Sequence, residues 1–220
     1  MAVATTGSSI INKGADGTDN SKVTQQTPGT PAPAKNGDDA HDDGKSCGQK
    51  AGNGTPGVDG TPGRHGADGG VAGVGNQIKI DLDEMNGHYV LRVEGGHGGS
   101  GGPGGAGGQG QQGGRGGHSS DHCSGGRDAA SGKGGRGGDG GNAQDGGNAG
   151  DIYITFKSGQ PTFEATIAGG EAGTPGEGGP AGEPGAPGAG DLGGGDTGKT
   201  AKPGAGGQFF VNGKKQKGSE

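Results

Sequence analysis

GGHGGSGGPGGAGGQGQQGGRGGH occupies residues 95–118. Its glycines stand mostly in pairs, and every third position is something else. Carried forward in steps of three, the same frame takes in Gly125/Gly126, Gly134/Gly135, Gly137/Gly138, Gly140/Gly141 and Gly146/Gly147, across the interruption SSDHCS at 119–124. The third column is polar and varied, with His97, Gln109, Arg115, Arg127, Lys133, Arg136, Asp139 and Asp145 among its members. Looser runs with one glycine in three lie on either side: Gly54 to Gly69 in one phase, Gly170 to Gly188 in another.

A period of three suits a left-handed extended helix with three residues per turn. Such a helix has no internal hydrogen bonds, so its N–H and C=O groups need neighbours. Two glycines per turn clear two faces for backbone approach. GGX then marks a run with neighbours on two sides, and GXY a run with fewer. A flexible glycine linker is the competing reading, but linkers have no reason to hold phase over this length.

Composition narrows the choices. The chain has 65 glycines in 220 residues, no Trp, and only 22 residues of Leu, Ile, Val and Phe together. That is too little for a large apolar core, so backbone hydrogen bonds must hold any fold. Net charge is −6, and basic residues are scattered apart from Lys214-Lys215-Gln216-Lys217. Nucleic-acid binding is not expected. No apolar run reaches the length of a membrane span, and the first residues, MAVATTGSSIINKG, lack signal-peptide features.

Two stretches change style. In NQIKIDLDEMNGHYVLRVEGG, Ile78, Ile80 and Leu82 alternate, and Asn86-Gly87 is a hairpin signal. Folding there sets Leu82 against Leu91 and Ile80 against Val93 on one face, with Asp81 against Arg92 and Lys79 against Glu94 on the other. DIYITFKSGQPTFEATIAGG repeats the style about Ser158-Gly159, setting Ile154 against Phe163 and Ile152 against Ala165. The expected core is Ile78, Ile80, Leu82, Leu91, Val93, Ile152, Ile154, Phe156, Phe163 and Ile167. Phe209 and Val211 are candidates to join it as a last edge strand.

The expected fold is therefore an irregular one: a bundle of left-handed polyglycine-II helices connected by two β-hairpins packed at one end. Residues 1–43 read as a flexible polar leader, 44–207 as the bundle with hairpins at 77–94 and 151–168, and 208–220 as a strand and basic tail. The arms from Cys47 to Ile78 and from Val93 to Cys123 are nearly equal. Equal arms bring both cysteines to one height, so a Cys47–Cys123 disulfide is expected at the end away from the hairpins. It closes a long loop and contributes about 4 kcal/mol. It also implies an oxidising compartment, extracellular or on a virion or cell surface.

Other motifs lead nowhere definite. Gly193 to Thr200 matches the phosphate-loop spacing, but no strand precedes it and Pro203 stops a helix after it; no nucleotide is expected. Gly146 to Ile154 resembles a calcium nonapeptide, with Ala149 in place of a glycine and no tandem copy. His118, Asp121, His122 and Cys123 share one turn. A disulfide excludes a thiolate metal site there, so no metal or other cofactor is expected, His118 and His122 being the candidate ligands otherwise. Asn53-Gly54-Thr55 is a glycosylation sequon. No activated nucleophile or carboxylate pair in an apolar setting is visible, so an enzyme is not expected.

HGADGG at 65–70, GGHGGSGGPGGAGG at 95–108 and GTPGEGGPAGEPGAPG at 173–188 resemble the polyglycine-II bundle proteins, which include snow-flea-type antifreeze proteins and glycine-rich phage tail-fibre tip adhesins. The GXY runs are also similar to bacterial collagen-like sequences. The antifreeze resemblance implies a flat face of small residues, for which Ala172, Thr174, Ala181 and Ala186 are the candidates. The charged third column departs from such a face. The expected function is a non-catalytic extracellular structural or adhesive protein, a stiff rod or fibre subunit whose hairpin end and loops make contacts. Self-association or a cell-surface or matrix receptor are the expected partners. Ice binding is the alternative, and a disordered glycine-rich matrix segment a further one.

Overall fold

A computed structural model of the chain describes residues 8–217. None of these residues is helical. The regular elements are nine strands: β1 (Ser8–Lys13), β2 (His41–Asp42), β3 (Cys47–Gln49), β4 (Ile78–Glu84), β5 (Gly87–Glu94), β6 (Ile152–Ser158), β7 (Pro161–Ala168), β8 (Phe209–Val211) and β9 (Lys214–Gln216). They form three small sheets, ordered β1-β5-β7, β4-β6-β8-β9 and β2-β3. The expected helix bundle is thereby corrected, and no collagen-like element is present among the described residues.

Both expected hairpins are corrected too. β4 does not pair with β5, nor β6 with β7. Instead β4 pairs with β6 in parallel, Ile78 opposite Ile152 and Ile80 opposite Ile154. β5 pairs with β7 in parallel, Tyr89 opposite Phe163 and Leu91 opposite Ala165. The turns at Asn86-Gly87 and Ser158-Gly159 are arches that carry the chain from one sheet to the other. They stack on each other through Met85 N–H to Ser158 C=O (3.0 Å) and Gln160 N–H to Asn86 Oδ1 (2.9 Å). Gly87 and Gly159 sit at φ 99° and 113°, which an L side chain rarely adopts.

The physical reason is the apolar stripe. Hairpins give two-stranded ribbons, which are marginal, whereas parallel pairing carries each apolar stripe across a three- or four-stranded sheet. Two sheets stacked face to face bury both. Ile78, Ile152, Ile154 and Phe209 come from one sheet, and Tyr89, Leu91, Val93, Ala165 and Ile167 from the other; all are buried, with Met85 in the arch. Ile80, Leu82, Phe156, Phe163, Val211 and Ile10 pack on them partly buried. Such a core contributes roughly 1.5–3 kcal/mol per large side chain.

The glycine-rich segments continue the two sheets as six runs: 14–40, 50–76, 95–118, 125–150, 169–185 and 193–208. The odd runs form one layer and the even runs the other. Bonds within a layer join parallel runs: Gly60 N–H to Lys133 C=O (2.8 Å), Gly104 to Glu177 (2.8 Å), Gly140 to Asp196 (2.8 Å). Bonds between layers join antiparallel runs: Gly105 to Arg64 (2.7 Å), Gly138 to Gly105 (2.8 Å), Gly179 to Gly138 (2.7 Å). All recur at every third residue. The third and fourth runs, which carry GGX, bond to four other runs each; every other run bonds to two or three. The expected leader belongs to this arrangement from Ser8 onward. β1 pairs with β5, Ile10 opposite Leu91, Gly14 donates to Glu94 at the end of β5, and Gly17, Ala34, Gly37 and Ala40 donate to the third run. The last segment supplies β8 and β9.

Candidate functional site

The third column of each run leaves its N–H groups pointing out of the slab. Side chains on the preceding run of the same layer collect many of them. Asn53, Asp59 and Asp68 accept from the N–H groups of Arg127, Lys133 and Asn142 at 2.6–2.9 Å. Asp139, Asn142, Asp145, Asn148 and Asp151 then accept from Asp196, Lys199, Lys202, Ala205 and Gln208 at 2.7–2.9 Å. On the other layer Asp16, Asn36 and Asp39 accept from His97, Arg115 and His118, each at 2.8–2.9 Å. His97 Nδ1 and Ser100 Oγ accept from Glu171 and Thr174 at 3.2 Å. These ladders give many of the surface Asp and Asn a structural role. Backbone N–H donors hold several of the carboxyls below the usual range: Asp16 chiefly through His97, Asp39 through His118 and Asp139 through Asp196.

The two cysteines are joined at the end of the slab remote from the apolar core, with Cα atoms 5.0 Å apart. Cys123 is buried and Cys47 exposed. Around them lie β2, β3 and the turn at 119–122. His118 Nδ1 sits 2.9 Å from Asp39 Oδ1, and His122 Nδ1 3.7 Å from Asp42 Oδ2. The structure therefore gives each candidate metal ligand a carboxylate partner. Among the described residues no three His, Cys, Asp or Glu side chains are grouped to hold a metal ion.

At this end the glycine frame breaks as RDAASG, residues 127–132. The fifth run stops short here. Gly98, Gly101, Gly104, Gly107 and Gly110 donate to its carbonyls. Gly113 and Gly116, next in phase, have no such carbonyl. Ser131 Oγ and Asp128 Oδ1 accept from them instead, at 2.9 and 2.8 Å. At the same end lies a depression of about 640 Å³ lined by Asn36, Gly37, Asp38 and Asp39 of the first run, Arg115, Gly116 and His118 of the third, and Asp128 of the fourth. Sequence reasoning singled out only His118 of these as a candidate ligand. The loss of paired glycines at 128–131 was the signal for Asp128.

The small-residue candidates do not form one column. Thr174 shares its phase with Glu171, Glu177 and Glu183, all exposed. Ala172 and Ala181 share another with Pro175, Gly178 and Pro184 and are half-buried; Ala186 lies beyond the last bonded triplet. Beside the Ala172 column, on the bonded neighbour, stands Gly194, Thr197, Thr200, Pro203 and Gly206. These two columns make an uncharged edge of the slab.

No family model matches the chain, and no curated protein matches it. Among solved structures, a nine-polyproline-type-II helical bundle springtail antifreeze protein from Granisotoma rainieri aligns at 24% identity over 76% of this chain and 98% of that one, with a TM-score of 0.12. No helix of the described residues is long and apolar enough to cross a membrane.

Proposed function

We propose that the chain is a non-catalytic extracellular structural or adhesive protein, a stiff spacer whose ends carry the contacts. One observation carries the reading. A period-three ladder of backbone bonds joins six runs along the slab, tied by an apolar core at one end and a disulfide at the other. A lattice of that kind resists bending because every run is held by its neighbours, not by side chains that can slide. The disulfide is in keeping with an oxidising compartment. Contacts fall to the arches at one end and to the loops around residues 43–46, 119–122 and 186–192 at the other. Particle retention tests this: beads coated with the chain hold to cell or matrix surfaces, and bare beads do not. Equal release of both overturns the adhesive reading.

Ice binding is a second reading, favoured by the uncharged edge of Ala172, Pro175, Gly178, Ala181 and Pro184 beside Thr197, Thr200 and Pro203. It predicts thermal hysteresis that falls when Thr197 and Thr200 are replaced by Lys. Absence of hysteresis in the parent chain overturns it.

A further inference from the structure

We infer that the four-stranded sheet is an interface for a second copy of this chain, with β9 of one copy pairing antiparallel to β4 of the next; this goes beyond the spacer reading, which names no lateral partner.

The sheet β4-β6-β8-β9 is open on both sides. Ile78 N–H donates to Asp151 C=O at 3.0 Å, toward β6. Backbone groups alternate in direction along a strand, so those of Lys79, Asp81 and Asp83 face the free side of β4. At the other edge Asn212 N–H donates to Ile154 C=O at 2.8 Å, toward β6, so Phe209 and Val211 turn to β9, where Gln216 and Lys214 stand opposite them. The backbone groups of Lys215 then face the free side of β9, and those of Lys217 are next in phase. Both edges offer unpaired donors and acceptors at every second residue. β9 runs against β8, and β4 runs with β6 and β8. A second copy laid alongside in the same orientation therefore brings β4 antiparallel to β9.

Charge selects the partner and the register. Lys215 lies on the outer face of β9 with Phe210, and Lys217 follows it; both are exposed. Ile78, Ile80 and Leu82 of β4 turn to the core, which puts Lys79, Asp81 and Asp83 on the same outer face, also exposed. Among the described residues Lys215, Lys217 and Asp81 make no ion pair, and Asp83 pairs with Lys157 at 2.6 Å. Lys215 opposite Asp83 sets Lys217 opposite Asp81, giving two opposite-charge pairs. A slip of two residues sets Lys217 against Lys79. β9 on β9, or β4 on β4, sets like charges together. Lysines on an edge strand ordinarily keep it single; here the far edge of the same sheet carries their counter-charges. The contact is head-to-tail, so copies add in an open row and do not close as a two-fold dimer. The ladder is short, so association is weak and depends on concentration.

The test is sedimentation velocity of the intact, oxidised chain over a range of protein concentrations at about 0.05 M salt. The weight-average sedimentation coefficient should rise with concentration, past the dimer, and fall again at about 0.5 M salt. Lys215→Glu with Lys217→Glu leaves two acidic edges, and Asp81→Lys with Asp83→Lys leaves two basic ones. Each variant alone should stay monomeric. Mixed in equal amounts, each supplies the edge the other needs, and association should return. Melting temperatures near the parent's show that the variants fold. Asp81→Lys alone keeps the Lys157–Asp83 pair and replaces the double variant if that one melts early; it too should lose association and regain it on mixing. A parent that is monomeric at every concentration, a variant that associates as the parent does, a mixture that stays monomeric, or a dimer that does not grow overturns the inference.

Discussion

At the scale of a residue, this fold is decided by what a Cβ would strike. A side chain added at Gly138 would overlap the carbonyl oxygen of Arg64, and the obstacle is backbone on a neighbouring run. Gly138→Ala should therefore destabilise by at least about 3 kcal/mol. Gln109→Ala, in the outward column of the third run, should fall within about 0.5 kcal/mol of the parent. Thermal or denaturant unfolding separates the two. Ser131 makes the complementary case. It supplies the acceptor that Gly113 lacks once the fifth run has ended, at a partly buried site. Ser131→Ala strands that N–H and should cost about 1–3 kcal/mol.

The carboxyls of the ladders carry the pH dependence. Asp16, Asp39 and Asp139 lie below the ordinary value in the folded chain, each chiefly through a backbone N–H. A depressed carboxyl stabilises the fold above its unfolded pKa, near 3.9. That contribution is lost as pH falls through the lower folded value. Melting temperature should hold between pH 7 and about 5 and fall below about pH 4. Asp39→Asn with Asp139→Asn keeps an acceptor oxygen at both places and should flatten that acid limb. An unchanged limb would show that these carboxyls do not carry it.

At the scale of an element, the strands are held by stacking of the two sheets. Ile152 is fully buried between them, and Ile152→Ala should cost about 2–5 kcal/mol. Strand positions, turn positions and the apolar side of each strand were legible in the alternation of Ile78, Ile80 and Leu82 and in Asn86-Gly87. The pairing was not. A hairpin of β4 on β5 sets Leu82 near Leu91, and a pair of stacked sheets joined by an arch likewise brings both into one core. The observed partners, such as Asn86 and Gln160, lie 74 residues apart, and nothing local in either strand points that far. The glycine beat was more informative. Its density tracks the number of neighbouring runs, and its failure at Asp128 and Ser131 marks where a neighbour stops. Of the residues around the depression at the disulfide end, His118 drew notice in the sequence as a candidate ligand and Arg115 as a charged member of the third column. Asn36, Asp39 and Asp128 look like ordinary surface residues until the runs that bring them together are known.

At the scale of the molecule, stability is unevenly divided. The strand end has an apolar core. The far end has short ladders and one covalent tie, Cys47 to Cys123, across a sequence separation of 76. Reduction should remove about 4 kcal/mol, and amide exchange should rise first in residues 34–57 and 112–132, with β5 and β6 slowest. Simultaneous loss of protection everywhere would mean that the two ends do not differ.

The central claim is that glycine-rich runs are bonded to one another at every third residue. Amide hydrogen exchange along the third run tests it most directly. The account predicts a repeating pattern. Gly104, Gly105, Gly107, Gly108 and Gly110, which donate to the flanking runs at 2.7–2.9 Å, are protected. The N–H groups of Ala106, Gln109 and Gln112 donate in no described bond and exchange fast. Uniformly fast exchange from 98 to 117, or protection without that period, would contradict it.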